Sequence, residues 1–128
     1  MPVDKSWGGT RFTNIRTTDH VVEIGFTFIG RKFQRTAANT EAKLMMLRHA
    51  FQCWSVNRVE FKTDSLNQQS RTALRRLGAV EEGTFRNHMV METGRLRDSV
   101  WYSITPDEWP AIHARLQARL DAAHAKPG

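Results

Sequence analysis

The chain has 128 residues and a mass of 14.7 kDa, enough for one modest core and too little for two. With 40% hydrophobic and 25% charged residues its composition is that of a soluble globular protein. No apolar run approaches the roughly 20 residues that span a bilayer, and residues 1–8 carry no apolar stretch of the kind a secretory leader needs. Cys53 is the only cysteine, which excludes an internal disulfide framework and fits a reducing, cytoplasmic setting. The net charge of +6 and pI near 10.2 suit a polyanionic partner, either a nucleic acid or a phosphorylated cofactor.

Residues 8–16 give a rough strand pattern through Phe12 and Ile15. A stronger strand follows over 21–29: Ile24, Phe26 and Phe28 share one face, and Glu23, Gly25 and Thr27 the other. A turn at Gly30, Arg31, Lys32 and Phe33 then leads to Gln34, Arg35, Thr36, Ala37, Ala38, Asn39 and Thr40. From about Ala38 to Trp54 the period becomes helical, with Leu44, Leu47, Phe51 and Trp54 inward and Glu41, Arg48 and Gln52 outward.

Residues 58–64 alternate as a strand, and 67–77 read as a short helix with Ala73, Leu74 and Leu77 inward and Gly78 closing it. Two further strands, roughly 79–91 and 95–105, meet at a hairpin turn formed by Glu92, Thr93 and Gly94. Thr105, Pro106 and Glu108 have the spacing of a capping box, which opens a last helix with Trp109, Ile112, Leu116 and Leu120 on its apolar stripe. The order is a mixed α/β layer. Its crossover from the second strand through the long helix places the third strand parallel to the second.

A strand running into a loop and then a helix start makes an anion site, because the first helical amides have no intrahelical acceptor and the macrodipole adds positive potential. Thr36, Ala37 and Ala38 let the backbone approach phosphate oxygens, while Arg31, Lys32 and Arg35 supply charge. The same residues also suit an ordinary helix start with Asn39 or Thr36 as cap.

Residues 34–43 resemble the acetyl-CoA motif of the GNAT N-acetyltransferases, Gln/Arg-x-x-Gly-x-Gly/Ala, most closely in the ribosomal-protein alanine N-acetyltransferase branch. Residues 23–28, Asn67 to Ser70 with Leu77 and Gly78, and residues 94–99 extend the likeness, which runs from about Gly8 to Leu120 in the family's order of elements. The resemblance implies an α+β fold of mixed α/β layers: a mostly antiparallel sheet with one parallel strand pair splayed for acyl-CoA. It implies that Phe28 and Ile29 meet the pantetheine arm, that Gln34, Arg35, Thr36, Ala37, Ala38, Asn39 and Thr40 hold the pyrophosphate, and that Asn67 bonds the pantetheine or the loop beside it. Ser70 resembles the serine that protonates the departing thiolate in this branch.

The family's glycine is Ala37 here, and Asn39 takes the last small-residue position. Family members also begin with a strand, two helices and another strand ahead of the segment that starts here near Gly8. The expectation is therefore a single, N-terminally shortened GNAT domain over residues 1–128, dimerising to cover what those elements would cover.

Beside the resemblance stand the plainer readings. Asn67 and Ser70 also fit an ordinary helix cap. Glu23 and His88 are candidate general bases, or simply polar residues of a sheet face. Arg71, Arg75 and Arg76 line the second helix, with Arg75 a candidate for a CoA phosphate and an exposed basic face the alternative. The five histidines and Cys53 lack metal-ligand spacing, so no metal is expected.

The leading reading is an acetyl-CoA-dependent N-acetyltransferase acting on a primary amine of a protein N-terminus or small molecule. A CoA-binding or dimerising domain without turnover is the second reading. A small basic nucleic-acid-binding domain is the third, disfavoured by the scatter of its charge.

Overall fold

A computed structural model describes residues 10–26 and 37–125. Its strands and helices follow in the order β1 (Thr10–Arg16), β2 (Val21–Phe26), α1 (Ala37–Arg48), a π-helical turn (His49–Cys53), β3 (Arg58–Asp64), α2 (Gln68–Leu77), β4 (Val80–Val90), β5 (Leu96–Ile104) and α3 (Trp109–Ala125). The five strands form one sheet in the order β1-β2-β3-β5-β4. Only β2 and β3 are parallel; the other three pairings are antiparallel. This is the mixed sheet expected from the sequence, with its one parallel pair bridged by α1.

One face of the sheet is apolar. Val22, Ile24, Val59, Phe61, Val100, Tyr102 and Ile104 share it, and they form a single core with Leu44, Met46, Leu47 and Ala50 from the first helical stretch, Leu74 and Leu77 from α2, and Trp109, Ile112, Leu116 and Leu120 from α3. Burying a Leu, Ile or Val side chain contributes about 1.5–3 kcal/mol, so this face carries most of the drive to fold. Arg48 Nη2 donates to Gln117 Oε1 at 3.4 Å and Arg115 Nη2 to the Leu77 carbonyl at 2.7 Å, tying α3 to α1 and α2.

Two expected boundaries move, and one burial differs. The helix expected to run to Trp54 stops being α-helical after Arg48 and closes through a wider π turn, with the Trp54 amide donating to the His49 carbonyl at 3.1 Å. Phe51 and Trp54 are therefore only half buried: Phe51 stacks on Trp109 at 5.3 Å, and Trp54 packs against Phe12 at 4.8 Å. Thr105 to Glu108 form a turn ahead of α3 rather than its first turn. Glu108 Oε1 accepts from the Thr105 amide at 2.9 Å, which is the reciprocal half of the expected box.

The third difference concerns β3. On its polar face Glu60 is buried, at 7% exposure, while Arg58, Lys62 and Asp64 are half buried.

Candidate functional site

The parallel pair is short. Val21 pairs with Arg58, Val22 with Val59 and Glu23 with Glu60, and there the ladder ends. Yet β2 continues to Phe26, still paired to β1, and β3 continues to Asp64, still paired to β5. Past the Glu23–Glu60 rung the two strands turn to each other edges that no ladder joins among the described residues. Such edges present backbone N–H and C=O groups to whatever lies between them, and an extended chain with amides of its own matches them.

Because β2 and β3 are parallel, their C-terminal ends reach the same edge of the sheet. The helices that follow them, α1 and α2, both start from that edge. In open sheets this is where ligands bind, and two helix N-termini there add two sets of amide donors.

Of the residues proposed for the pyrophosphate, Ala37, Ala38, Asn39 and Thr40 are the first residues of α1, and Thr40 is buried. Phe28, Ile29, Gln34, Arg35 and Thr36 lie outside the described residues. On the α2 side, Asn67 Oδ1 accepts the Ser70 amide at 3.0 Å, so Asn67 is the cap that its spacing suggests. Asn67 is exposed and its amide still carries two donors; Ser70, half buried, is one turn inside. The loop that delivers them is wired tightly: Asp64 accepts from the Leu66 and Asn67 amides, and Ser65 donates to the Asp98 carbonyl at 2.8 Å.

The other face of the sheet carries charge instead of core. Arg58, Glu60, Lys62 and Asp64 alternate out of β3, beside Glu23 from β2 and Ser99, Trp101 and Ser103 from β5. The helix residues of the core cluster pack with the apolar face instead. Glu60 is 7% exposed and is held by Arg16 and by Arg58, whose Nε lies at 3.1 Å; Arg58 also pairs with Glu82. Against burial, the bonds from Glu82 and Glu60 raise the Arg58 guanidinium further above its ordinary range. The Ser103 hydroxyl, together with Arg58, holds the Glu82 carboxyl below its usual value despite burial. Burial pushes Asp64 up, but the Leu66 amide and the Arg95 guanidinium outweigh it and hold its carboxyl low.

Glu23, the candidate base, is 6% exposed and sits on the last paired rung, at the mouth of the opening. Lys62 Nζ is 3.7 Å from its Oε2. Gly25, two residues on, lies under a bulge in β1: a Cβ there would come within 2.6 Å of Thr13 Cγ2. That contact explains why the strand has no side chain at this point.

His88 is not brought to the same place. It lies on edge strand β4, three strand spacings from β2, which is roughly 14 Å at about 4.8 Å each. Its Nδ1 is 2.9 Å from Ser99 Oγ, and with Phe85, Arg86, Asn87 and Asp98 it lines an open cleft of about 770 Å³ at the β4 bulge. Arg71 is also engaged elsewhere, donating to Tyr102 Oη at 3.2 Å and to Glu81 at 3.3 Å. Arg75 and Arg76 are exposed near the C-terminal end of α2, with Arg75 roughly 12 Å along the axis from Asn67 at about 1.5 Å per residue.

Sequence reasoning missed Lys62, Trp101 and the Glu60 cluster. The signal for Lys62 was the charged alternation of β3, which places it on the face of Glu60; for Trp101 there was none.

Residues 4–80, more than half of the chain, match the acetyltransferase (GNAT) domain. The chain belongs to this family. It is 30% identical over 96 residues to a Bacillus subtilis protein named as a ribosomal N-acetyltransferase, YdaF, covering 75% of this chain and 51% of that one. A crystal structure from T. thermophilus, described as an acetyltransferase, superposes with a TM-score of 0.82 at 40% identity, covering 87% of this chain and 58% of the other. A GCN5-related N-acetyltransferase from Brucella melitensis gives 0.82 at 36% identity, covering 87% and 50%. This GNAT chain thus spans about half the length of these relatives. Among its described residues no helix is long and apolar enough to cross a membrane, and no cluster of metal-ligating side chains occurs.

Proposed function

We propose that this chain binds acetyl-CoA in the opening between β2 and β3 and transfers the acetyl group to a primary amine of a protein N-terminus or small molecule. The observation that carries the reading is the parallel pair that stops at Glu23–Glu60 while two helices begin at the edge it opens toward. The free inner edges of β2 and β3 fit a pantetheine arm, whose amides need partners of this kind. The amides opening α1 fit the pyrophosphate. Ala37 in place of the usual glycine adds a methyl group there and weakens the grip without removing the donors.

In this reading Glu23 accepts the proton of the acceptor ammonium, which frees the nitrogen lone pair for the thioester carbonyl. The C–N bond forms, the C–S bond breaks, and Ser70 gives a proton to the leaving thiolate. Asn67 holds the first turn of α2 so that Ser70 stays at the opening. A homodimer in the cytoplasm is the setting we propose for this chemistry. The lone Cys53 fits that compartment. The outer edges of β1 and β4 are where a second chain would add, and light scattering at micromolar concentration tests it.

Isothermal titration with acetyl-CoA, followed by thiol release with amine and peptide acceptors, tests the main reading. Saturable binding with acceptor-dependent release supports it. Binding without release selects a CoA-binding domain without turnover, and absence of binding overturns both.

A further inference from the structure

Two buried carboxylates, Glu23 and Glu60, share the last rung of the parallel pair, and their partners differ in kind. Glu60 takes guanidinium groups from Arg16 and Arg58. Glu23 takes a lysine ammonium, with Lys62 Nζ at 3.7 Å from Oε2, well beyond the 2.7–2.9 Å of a charge-assisted hydrogen bond. The same Nζ lies 5.5 Å from the centre of the Trp101 ring, which is the register neighbour of Lys62 across β3 and β5. That is within the roughly 6 Å over which an aromatic face attracts a cation.

A buried carboxylate and an indole face that flank one ammonium have the composition of an ammonium-binding site. Among the described residues the ammonium in it now is held at 3.7 Å, beyond hydrogen-bond distance, on a flexible four-carbon stem whose side chain is 30% exposed. A guanidinium fork would lock such a site; a loosely held lysine leaves its way out to solvent open.

We propose that the corner formed by Glu23 and Trp101 is the seat of the acceptor's primary ammonium, and that Lys62 is an internal occupant the acceptor displaces. The proposal rests on the reading of Glu23 as the base and adds to it both a recognition surface and a built-in competitor. Exchange of one ammonium for another keeps the charge balance beside Glu60 unchanged, so the site accepts primary alkylammonium ions and rejects anions and neutral amides. Lys62 sets the acceptor concentration at which the seat fills.

The test is titration of the full chain with n-butylammonium chloride at neutral pH. Lys62→Met, which removes the competing charge, binds n-butylammonium about tenfold more tightly than the parent chain. Lys62→Arg keeps a cation in place and shows no gain. Glu23→Gln added to Lys62→Met abolishes the gain. Lys62→Gln serves as the second neutral variant, and thermal melts establish that each variant is folded.

Equal affinity of the parent, Lys62→Met and Lys62→Gln overturns the proposal, as does a gain that survives Glu23→Gln. Parallel titrations with acetyl-CoA separate the two readings. Retained acetyl-CoA binding without the amine gain removes the ammonium seat alone. Loss of acetyl-CoA binding by the parent chain removes the transferase reading, whatever the amine result.

Discussion

Glu23 and Glu60 are register partners at the point where β2 and β3 part, both buried, one loosely paired to an ammonium and the other clasped by two guanidinium groups. Equal burial with unequal pairing divides their roles. Glu60 is the fastener: its two arginines come from β1 and β3, so it ties the edge strand to the centre of the sheet. Glu23 is placed at the opening without being consumed by structural bonds.

Substitution to glutamine therefore has opposite consequences at the two positions. Glu60→Gln leaves Arg16 and Arg58 without their carboxylate and costs about 2 kcal/mol, less than a fully buried pair because both arginines are partly in water. Glu23→Gln costs under about 1 kcal/mol but lowers acceptor-dependent thiol release on the order of 100-fold, the size of a lost general base. Urea denaturation and the release assay read the two effects. Similar profiles for both variants would remove the base role from Glu23.

Asn67 and Ser70 separate in the same way. The cap bond runs from the Ser70 backbone amide to Asn67 Oδ1, so Ser70→Ala leaves it intact. Its stability stays within about 0.5 kcal/mol of the parent. Thiol release falls about 100-fold while acetyl-CoA affinity is retained. Asn67→Ala loses the cap and about 1 kcal/mol. Unchanged turnover in Ser70→Ala would leave that serine a bystander in the first turn.

These pairs also show which parts of the site the sequence could reveal. The Asn67 cap is written locally, because donor and acceptor are three residues apart, and so is the turn at Gly94, whose φ of 87° needs a glycine. The parallel pairing followed from the helix between β2 and β3. The Glu60 cluster and the Lys62–Trp101 contact join residues from different strands. Their partners are set by strand order and register, and a period-2 pattern fixes only the face on which each residue lies. The alternation of β3 thus put Glu60 on a face and named no partner for it, whereas arginines from β1 and β3 pair with it there. The π turn after Arg48 was hidden for a related reason, since Phe51 and Trp54 fit a helical stripe and only their packing on Trp109 and Phe12 shows the wider turn.

Lys43, on α1, gives the protein a measurable pH dependence. Burial, with the nearby charge of Arg119, lowers its amine from 10.5 to about 8. Unfolding restores a value near 10.4, so between about pH 8 and pH 10.4 the unfolded chain binds more protons, and stability rises with pH across that window. The penalty is fully present below about pH 8 and amounts to on the order of 3 kcal/mol. Lys43→Met removes the titrating group, so urea midpoints from neutral pH to about pH 10 should rise for the parent and stay flatter for the variant. Parallel curves would assign the titration to another residue.

The end of α2 opposite to Asn67 is set by Gly78. Its φ is 103°, and its amide donates to the carbonyls of Leu74 and Arg75, which closes the helix. Gly78→Ala meets two obstacles at once. The left-handed backbone strains any Cβ, at about 1 kcal/mol. The new methyl group would also run into Arg115 Nη2 and lie 3.1 Å from Ile112 Cγ1. Arg115 cannot yield freely, because that nitrogen donates to the Leu77 carbonyl at 2.7 Å. The expected total is about 2–3 kcal/mol, the strain plus a lost or distorted hydrogen bond. A double-mutant cycle with Arg115→Ala apportions it: with the guanidinium gone, Gly78→Ala should cost about 1 kcal/mol less than in the parent background. An undiminished cost would place the whole effect in the backbone angle and the Ile112 contact, and would clear Arg115 of any part in fixing the end of α2.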